Sequence, residues 1–232
     1  MRGLFVTGTG TEVGKTVVAA ALARTATASR ERVAVFKPAV SGLDELGEGP
    51  ADHELLRLAS GSAQSDDQIA PYRYGPALSP HLAAELAGER IDPERLRAAA
   101  DAAAERSDLL VCEGVGGFLV PLAPGYLVRD LARDLGLPVV IAASPGLGTI
   151  NHTMLTAEAV RGAGLELAAI ILTPWPDGPS SMEQSNRSTV GALTGAEVLT
   201  LLRLDLSRPG SWPPLRVSDA IPGQLALRLR AA

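Results

Sequence analysis

Short apolar runs alternate along this chain with longer segments in which apolar residues recur at helical spacing. The runs, many of them β-branched, are Leu4–Thr7, Val33–Lys37, Leu109–Cys112, Pro138–Ala143, Leu167–Leu172 and Val198–Leu202. Runs of this length between helical segments predict the strands of βαβ units, because parallel strands are buried on both faces. We therefore predict an α/β fold of three layers, with a doubly wound, mostly parallel sheet between two layers of helices.

The segments between these runs predict the helices. Asp92-Pro93-Glu94 is a helix start, since it joins a capping residue, a proline at the first helical position and an acid in the first turn. The predicted helices are residues 14–28, Asp52–Ala59, residues 92–106, Ile150–Arg161 and Ser181–Leu193. The proline-rich stretch Thr173–Pro179 is predicted as a turn, and the tail after Asp205 is weakly specified. The interruptions have the length of loops and no repeat is visible, so we expect one domain over residues 1–232.

Composition narrows the class of protein. Hydrophobic residues make up 46% of the chain and aromatic residues only 3%, so the core must be built from Ala, Val, Leu and Ile. A net charge of -5 without a basic tract argues against a nucleic-acid-binding surface. No apolar run approaches the roughly 20 residues that cross a bilayer, and the first residues lead into a strand, not into a signal sequence. Cys112 is the single cysteine, so no internal disulfide forms, and we expect a cytoplasmic protein without membrane contact.

The residues that suggest chemistry follow the predicted strands directly. A glycine-rich stretch follows the first strand, Lys37 to Gly42 the second, Glu113 to Gly117 the third and Gly146 to Asn151 the fourth. In open α/β sheets, ligands bind beyond the carboxyl ends of the strands. We therefore expect one binding site at this edge of the sheet.

The glycine-rich stretch, Gly8 to Thr16, predicts a phosphate-binding loop. It reads Gly-Thr-Gly-Thr-Glu-Val-Gly-Lys-Thr, one residue longer than the usual Gly, four residues, Gly-Lys-Ser/Thr. Backbone N–H groups of residues 12–16 and the positive end of the following helix would hold an anionic triphosphate. Lys15 would reach the β and γ phosphates, and the Thr16 hydroxyl would bind Mg²⁺. The predicted fold is then similar to that of the P-loop NTPases.

Lysine is rare in this chain. Of 21 cationic side chains, only Lys15 and Lys37 are not arginine. An ammonium is a compact point charge, whereas a guanidinium is a broad planar fork. Both lysines fall at the predicted site, which indicates two positions where arginine does not fit. Chance survival of two lysines is the alternative.

Two carboxylates are candidate ligands of Mg²⁺, which usually takes one or two carboxylates together with phosphate oxygens and water. Glu113 directly follows an apolar strand, as does the acid of the second motif of P-loop ATPases. Asp52 is the other candidate, and a helix cap is the alternative interpretation of this residue.

Six sequence blocks together resemble the dethiobiotin synthetases, the ATP-dependent enzymes of biotin biosynthesis. The blocks are Gly8–Thr16, Lys37-Pro38 with Ser41-Gly42, Asp52, Ser79-Pro80-His81, Glu113–Gly117 and Leu147–His152. The match covers roughly residues 3–200, and the long glycine loop is this family's own form. The resemblance implies that 7,8-diaminononanoate takes up CO₂ as a carbamate on one amine and that ATP phosphorylates the carbamate to a carbamic-phosphoric anhydride. The second amine then closes the ureido ring, and phosphate leaves in addition to ADP.

The resemblance also implies roles for individual residues. The implied catalytic residues are Lys15 at the γ-phosphoryl group, Lys37 at the carbamate, Thr11, and Glu12 as a residue that orients the lysines. The nucleotide is implied to contact Glu12, Val13, Gly14, Lys15, Thr16, Val17, Asp52, Glu113, Gly114, Val115, Gly116, Thr173 and Pro174. The substrate is implied to contact Thr11, Lys37, Ser41, Gly148, Thr149, Ile150 and Asn151, the last four at a helix N-terminus that binds its carboxylate tail. Mg²⁺ is implied at Thr16, Asp52 and Glu113, and a homodimer is implied to complete the tail site.

Several positions depart from the family pattern or carry no clear role. Many members have an Asn-Asp pair that recognises adenine where this chain has Thr173-Pro174, so other nucleoside triphosphates remain open as co-substrates. Arg203 replaces a proline and is either a contact to base or ribose or a solvated arginine. Trp175 either stacks on a base or packs within its loop. His53, His81 and His152 show no metal-ligand spacing with each other or with Cys112.

Two other functions remain open at this point. A nucleotide-switched ATPase that binds a macromolecular partner would share the fold. Such proteins usually carry a further lysine early in the glycine loop, and residues 7–11 contain none. A related amidating synthetase would normally need a glutaminase domain, for which the chain leaves no room.

Overall fold

The computed structural model describes residues 1–47, 49–213 and 215. The strands are β1 (Gly3–Gly8), β2 (Val33–Phe36), β3 (Leu109–Glu113), β4 (Pro121–Ala123), β5 (Tyr126–Leu127), β6 (Val139–Ala143), β7 (Leu167–Trp175) and β8 (Val198–Leu202). The helices are α1 (Lys15–Ala28), α2 (Asp52–Ser60), α3 (Asp66–Ile69), α4 (Pro80–Leu86), α5 (Pro93–Glu105), α6 (Val128–Leu135), α7 (Thr149–Gly162) and α8 (Ser181–Thr194). Short 3₁₀ helices cover Leu43–Glu45 and Pro209–Ser211.

Six of the strands form one parallel sheet in the order β2-β3-β1-β6-β7-β8. β4 and β5 form a separate antiparallel hairpin. The central strand β1 lies between β3 and β6, so the loops that follow these three strands meet at one edge of the sheet. This is the crevice in which doubly wound sheets bind ligands. The predicted doubly wound sheet of the P-loop NTPase type is confirmed.

The sheet separates two layers of the hydrophobic core, because successive side chains of a strand point to opposite faces. In β1, Leu4 and Val6 pack with α1 and α2, whereas Phe5 packs on the face covered by α5, α6 and α7. In β3, Val111 and Cys112 divide in the same way, and all five residues of this strand are buried. Burial on both faces explains why these strands read as continuous apolar runs. No helix among the described residues is long and apolar enough to cross a membrane.

Most predicted elements are confirmed to within one or two residues, and the differences have local causes. β7 continues to Trp175, which pairs with Leu202, so the predicted turn at Thr173–Pro179 begins three residues later. Pro174 is accommodated because the register of β7 and β8 shifts between Leu172 and Trp175. Helices α3, α4 and α6 and the β4–β5 hairpin were not predicted. In α6 the signal was present, since the buried residues Val128, Leu131, Ala132 and Leu135 recur at helical spacing.

The first part of the C-terminal tail is better defined than its sequence indicated. The Trp212 side chain is 4% exposed and packs in the core layer that contains α1 and α2. Its indole Nε1 donates a hydrogen bond to the Asp205 carbonyl at 2.7 Å, and the Leu215 N–H donates to Thr25 Oγ1 at 2.9 Å. Residues 206–213 therefore close over α1 and α2. The rest of the predicted weak tail lies outside the described residues.

Replacing Trp212 by alanine is expected to lower the free energy of unfolding by about 3 kcal/mol, because large-to-small changes at buried aromatic positions leave a cavity. Urea denaturation of the variant and the wild type measures the difference. The control is Leu206→Ala in the same segment, where the side chain is 37% exposed and a loss below about 1 kcal/mol is expected. Equal losses for the two variants would contradict the assignment of Trp212 to the core.

Candidate functional site

The glycine loop joins the end of β1 to the start of α1 at the predicted edge of the sheet. Gly14 has a left-handed backbone (φ 82°) and precedes the first residue of α1, whose N-terminal N–H groups face the loop. Glu12 is also left-handed (φ 60°). At Gly8, an added Cβ would lie 2.6 Å from Val13 Cγ2 and 2.8 Å from Lys15 Cγ, so this close approach requires glycine. The longer form of the loop therefore folds back tightly on the end of β1.

Gly14→Ala is expected to weaken ATP binding at least about tenfold, a loss of about 1.4 kcal/mol. The new Cβ would meet Thr173 Cγ2 at 2.6 Å and would also strain a left-handed residue. Calorimetric titration with ATP measures the change. Gly61→Ala is the matched control, because Gly61 is left-handed too (φ 65°) but no atom of the described residues lies within 4 Å of its Cβ position. That control should lose stability alone, and a similar loss of ATP affinity in it would contradict the steric explanation.

Lys15 folds back over the glycine loop. Its side chain is largely buried, and Nζ donates a hydrogen bond to the Gly10 carbonyl at 2.7 Å. Burial lowers the pKa of Lys15, although the nearby Glu113 carboxylate acts in the opposite direction. Glu12, predicted to orient the lysines, is exposed, and no hydrogen bond or ion pair joins it to either lysine in the part of the chain that the structure describes. The Gly10 carbonyl therefore holds Lys15 in this structure, and the orienting role of Glu12 stays a prediction.

Lys37 lies between two carboxylates. Its Nζ is 2.5 Å from Asp52 Oδ2 and 2.6 Å from Glu113 Oε1, and only 3% of the residue is exposed. The β2 strand ends just before it, since Pro38 follows and the Lys37 N–H donates to the Ile69 carbonyl at 2.8 Å. The ends of β2 and β3 thus bring Lys37 and Glu113 together, as the strand-end argument predicted.

Asp52 and Thr16 complete this buried network. The N-cap of α2 is Ala51, and the Asp52 carboxylate accepts a hydrogen bond from Lys37, so the alternative of Asp52 as a helix cap is wrong. The Thr16 hydroxyl donates to Glu113 Oε1 at 2.8 Å. Helices α1 and α2, strand β3 and the residue that follows β2 therefore contribute one polar group each to a single cluster, which we call the Lys37 cluster (Thr16, Lys37, Asp52 and Glu113).

The charges of the Lys37 cluster shift one another's pKa values. Burial lowers the pKa of Lys37, but the attraction of Glu113 and Asp52 outweighs burial, and the net pKa is raised. Burial raises the pKa of Asp52, yet the Lys37 ammonium outweighs that effect and the net pKa is lowered. Glu113 is fully buried, and burial raises its pKa more than Lys37 lowers it. Such opposed shifts in one cluster are typical of functional sites.

The oxygens of this cluster fit a magnesium ion. Within the part of the chain that the structure describes, Glu113 Oε2 is buried without a hydrogen-bond partner. The Thr16 hydroxyl donates to Glu113 Oε1, and the Asp52 carboxylate shares Lys37 with this glutamate. Among the described residues no group of three or more His, Cys, Asp or Glu side chains forms a metal cage. A hydroxyl and two carboxylates suit Mg²⁺ well, because this ion keeps several waters and phosphate oxygens among its ligands.

A cavity of about 280 Å³ lies between the glycine loop and the loop before α7. Thr9, Thr11 and Val13 line one wall, and Ser144, Gly146, Leu147, Thr149 and His152 line the other. Gly148 (φ 91°) is the N-cap of α7, so the first N–H groups of this helix lie beside the cavity. Thr149 is buried, Ile150 is half-buried and Asn151 is exposed. Of the four predicted substrate residues of this segment, Thr149 lines the cavity together with Thr11 of the glycine loop.

The remaining predicted residues lie around these groups. The Ser41 hydroxyl donates to the Leu78 carbonyl at 2.8 Å, and Thr11 is exposed. Gly114 packs closely, since an added Cβ would lie 2.9 Å from Val128 Cγ1, and Gly116 is left-handed (φ 62°). Val17 and Val115 are half-buried.

The predicted base-recognition positions fall on the other side of the glycine loop. Thr173 is buried against Gly14, while Pro174 and Arg203 are exposed. Trp175 packs against the core layer of α7 and α8, which favours the packed interpretation over stacking on a base. Cys112 is buried in β3, and burial raises the pKa of its thiol, as is typical of a cysteine that packs in the core and does not react.

A larger cavity of about 570 Å³ lies at the opposite end of the sheet, between β2, the segment after α2 and α5. The side-chain amide of Gln64 lies there and accepts a hydrogen bond from the Val35 N–H at 2.9 Å and donates one to the Val35 carbonyl at 3.0 Å. None of the predicted site residues lines this cavity. Volume alone therefore does not identify the site, and the glycine-loop edge is the better candidate.

Sequence reasoning missed two polar groups near the site. One is the Gly10 carbonyl that holds Lys15, and the other is Asn186, a buried residue of α8 that contacts the loop before α7. A backbone carbonyl leaves no signal in a sequence. Asparagine within a predicted helix did leave one, because this residue is a weak helix former.

Known proteins resemble this chain over most of its length. A family model described as an AAA domain matches residues 2–205. The ATP-dependent dethiobiotin synthetase of Anaeromyxobacter dehalogenans (strain 2CP-C) is 46% identical over 87% of this chain and 90% of its own length. That of Bacillus subtilis (strain 168) is 37% identical over 86% of each chain, and that of Aromatoleum aromaticum is 38% identical over 99% of this chain and 97% of its own. The kinase domain of the Escherichia coli tyrosine kinase ETK has a TM-score of 0.45 and 18% identity over 77% of this chain and 71% of that one.

Proposed function

Because this chain belongs to the family of ATP-dependent dethiobiotin synthetases, we propose that it makes dethiobiotin from 7,8-diaminononanoate, CO₂ and ATP. The observation that carries this proposal is the Lys37 cluster beside the phosphate-binding loop. It provides a buried ammonium next to a place for a triphosphate, where a carbamate and a γ-phosphoryl group would meet. We further propose that residues 1–232 act as one domain in the cytoplasm.

Three negatively charged groups take part in the proposed reaction: the carbamate, the γ-phosphoryl group during its transfer and the phosphate that leaves. The two lysines supply fixed positive charge to them. One amine attacks CO₂ and loses a proton to give the carbamate, whose oxygen then attacks the γ-phosphorus of ATP and displaces ADP. The second amine attacks the carbonyl carbon of the resulting anhydride, phosphate leaves, the amine loses its proton to solvent and the ureido ring closes. Lys37 would hold the carbamate and Lys15 the γ-phosphoryl group, because preorganised charges in a water-poor site stabilise developing charge strongly. Their burial agrees with that role.

We propose that Thr16, Asp52 and Glu113 hold Mg²⁺, since their oxygens meet in the Lys37 cluster and no described residue makes a hydrogen bond to Glu113 Oε2. When bound, the ion would neutralise phosphate charge during phosphoryl transfer. The triphosphate itself would lie on the N–H groups of residues 12–16, with Val17, Gly114, Val115 and Gly116 close by. Thr173 and Pro174 would border the base. Because they replace the Asn-Asp pair that recognises adenine in many members, turnover with each nucleoside triphosphate measures which one this chain uses.

The cavity between the glycine loop and α7 is our proposed substrate site. Thr11 and Ser41 would bind the diamine end, and Gly148 to Asn151 would bind the carboxylate at the N-terminus of α7, where helix N–H groups favour an anion.

We also propose a homodimer, in keeping with the exposed apolar side chains of Leu147 and Leu155 on this side of the molecule. Light scattering coupled to size-exclusion chromatography measures the oligomeric mass.

The proposal is tested by incubating the purified chain with diaminononanoate, bicarbonate and MgCl₂ together with each of the four nucleoside triphosphates. Dethiobiotin is detected by mass spectrometry, and nucleoside diphosphate and phosphate should form in equal amounts with it. Absence of product with every nucleoside triphosphate would reject the proposal. Slow hydrolysis of ATP that a macromolecule stimulates and the diamine does not affect would favour a partner-binding ATPase instead.

A further inference from the structure

Asn186 is a buried amide in the interior of α8. Only 7% of the residue is exposed, and it is the sixth of the fourteen residues of the helix. Asparagine is a weak helix former, and a buried amide is costly unless it is hydrogen-bonded. Neither helix propensity nor core packing therefore explains this residue. Its hydrogen bonds do.

The Asn186 side chain holds the loop between β6 and α7. Its Nδ2 donates to the Pro145 carbonyl at 2.9 Å and to the Gly146 carbonyl at 3.2 Å. The Gly146 carbonyl also accepts from the Thr149 N–H at 3.2 Å, so the amide of α8 and the first turn of α7 share one acceptor. Two of the five loop residues are glycine, which has more backbone freedom than other residues, so hydrogen bonds from outside the loop help to fix its conformation.

The same loop forms one wall of the cavity that faces the glycine loop. Gly146 and Leu147 line the cavity directly, and the α7 N-terminus begins two residues later. The position of this loop therefore sets the distance between the phosphate-binding loop and the helix end opposite it. A substrate that spans both must match that distance.

We propose that Asn186 is a positioning residue that fixes the β6–α7 loop and thereby the site for the carboxylate tail of the substrate. This inference rests on the proposed function. Asn186 does not touch the reacting atoms. It acts through the loop, so it should affect recognition of the tail and leave phosphoryl transfer and nucleotide binding unchanged.

The test compares Asn186→Leu with the wild type on two substrates, diaminononanoate and the same diamine without its carboxylate. The quantity compared is the selectivity ratio, that is, kcat/KM for diaminononanoate divided by kcat/KM for the diamine without carboxylate. This ratio should be high for the wild type. In Asn186→Leu it should fall by roughly 10- to 100-fold, as expected for the loss of two hydrogen bonds. The change should appear in KM for diaminononanoate, while kcat and KM for ATP stay within about twofold. A general loss of structure would lower both substrates' kcat/KM equally and leave the ratio unchanged, which would overturn the inference.

Gln184→Leu provides the matched control. Gln184 lies two residues earlier on α8, and its amide also donates to a proline carbonyl, that of Pro179 at 3.0 Å, which is not part of the cavity wall. Its ratio should equal that of the wild type. If Asn186→Leu is insoluble, Asn186→Asp keeps the shape but faces two carbonyls with a carboxylate, and an unchanged ratio in that soluble variant overturns the inference as well. Failure of the wild type to make dethiobiotin would instead reject the proposed function.

Discussion

Lys37→Arg is expected to lower turnover by about 10²- to 10³-fold, the usual cost of displacing one group that stabilises a transition state. Charge is kept in this variant, but the broad guanidinium would have to fit where one ammonium lies 2.5 Å from Asp52 and 2.6 Å from Glu113 in a buried site. The rate of dethiobiotin formation at saturating substrate measures the effect.

Arg32→Lys is the matched control for this exchange. Arg32 precedes β2, at the end of the strand opposite Lys37, and its side chain is 72% exposed in a pair with Asp108. Turnover of this control should stay within about twofold of the wild type, because exposed ion pairs contribute little. If Lys37→Arg keeps wild-type turnover, then the scarcity of lysine in this chain carries no functional meaning.

Glu113→Gln is expected to abolish measurable turnover, a loss of at least about 10³-fold. Glu113 is fully buried, accepts hydrogen bonds from Lys37 and Thr16, and is a proposed Mg²⁺ ligand. Neutralising it removes one of the two partners of a buried ammonium, so the free energy of unfolding should also fall by about 3 kcal/mol. Product formation and urea denaturation measure the two effects.

The control for this second change is Glu105→Gln at the exposed end of α5, where neither turnover nor stability should change. Titrating MgCl₂ separates the proposed roles of Glu113. If the variant regains wild-type turnover at high Mg²⁺ concentration, Glu113 helps only to bind the ion. Wild-type turnover of the variant at ordinary Mg²⁺ concentration would remove Glu113 from the site altogether.

Much of the fold was predictable because its strands are buried on both faces. Such strands read as continuous apolar runs, and the fully buried β3 was predicted to within one residue of its observed bounds. The extension of β7 through Pro174 was not predictable by the same logic, since proline normally excludes a central strand position. The resemblance to the dethiobiotin synthetases is confirmed by relatives that are 37% to 46% identical.

The site was predictable as a place and only partly as a set of contacts. Parallel strands bring their carboxyl ends to one edge, so the residues that follow β2 and β3 were expected in one site. The direct contact of Lys37 with Glu113 also requires β2 and β3 to be neighbours, and the sequence analysis did not predict the strand order. The direction in which the Asp52 side chain points depends on how α2 packs. From the sequence alone, a helix cap was therefore as good an interpretation of Asp52 as a magnesium ligand. The contact of Asn186 with Pro145 joins a residue of α8 to the loop before α7, 41 positions away in the sequence. The periodicity of apolar residues carries no information about contacts at that range. The roles proposed for the site residues remain predictions.

The Gln64 amide described beside β2 bears on how this protein behaves when it is concentrated. An unpaired outer strand is a template on which another molecule can add its own strand, and this pairing is a common route to aggregation. Gln64 already occupies both the donor and the acceptor of Val35 on that outer side. An incoming strand would have to displace both of these hydrogen bonds in order to pair with Val35, so Gln64 opposes intermolecular pairing at this border of the sheet.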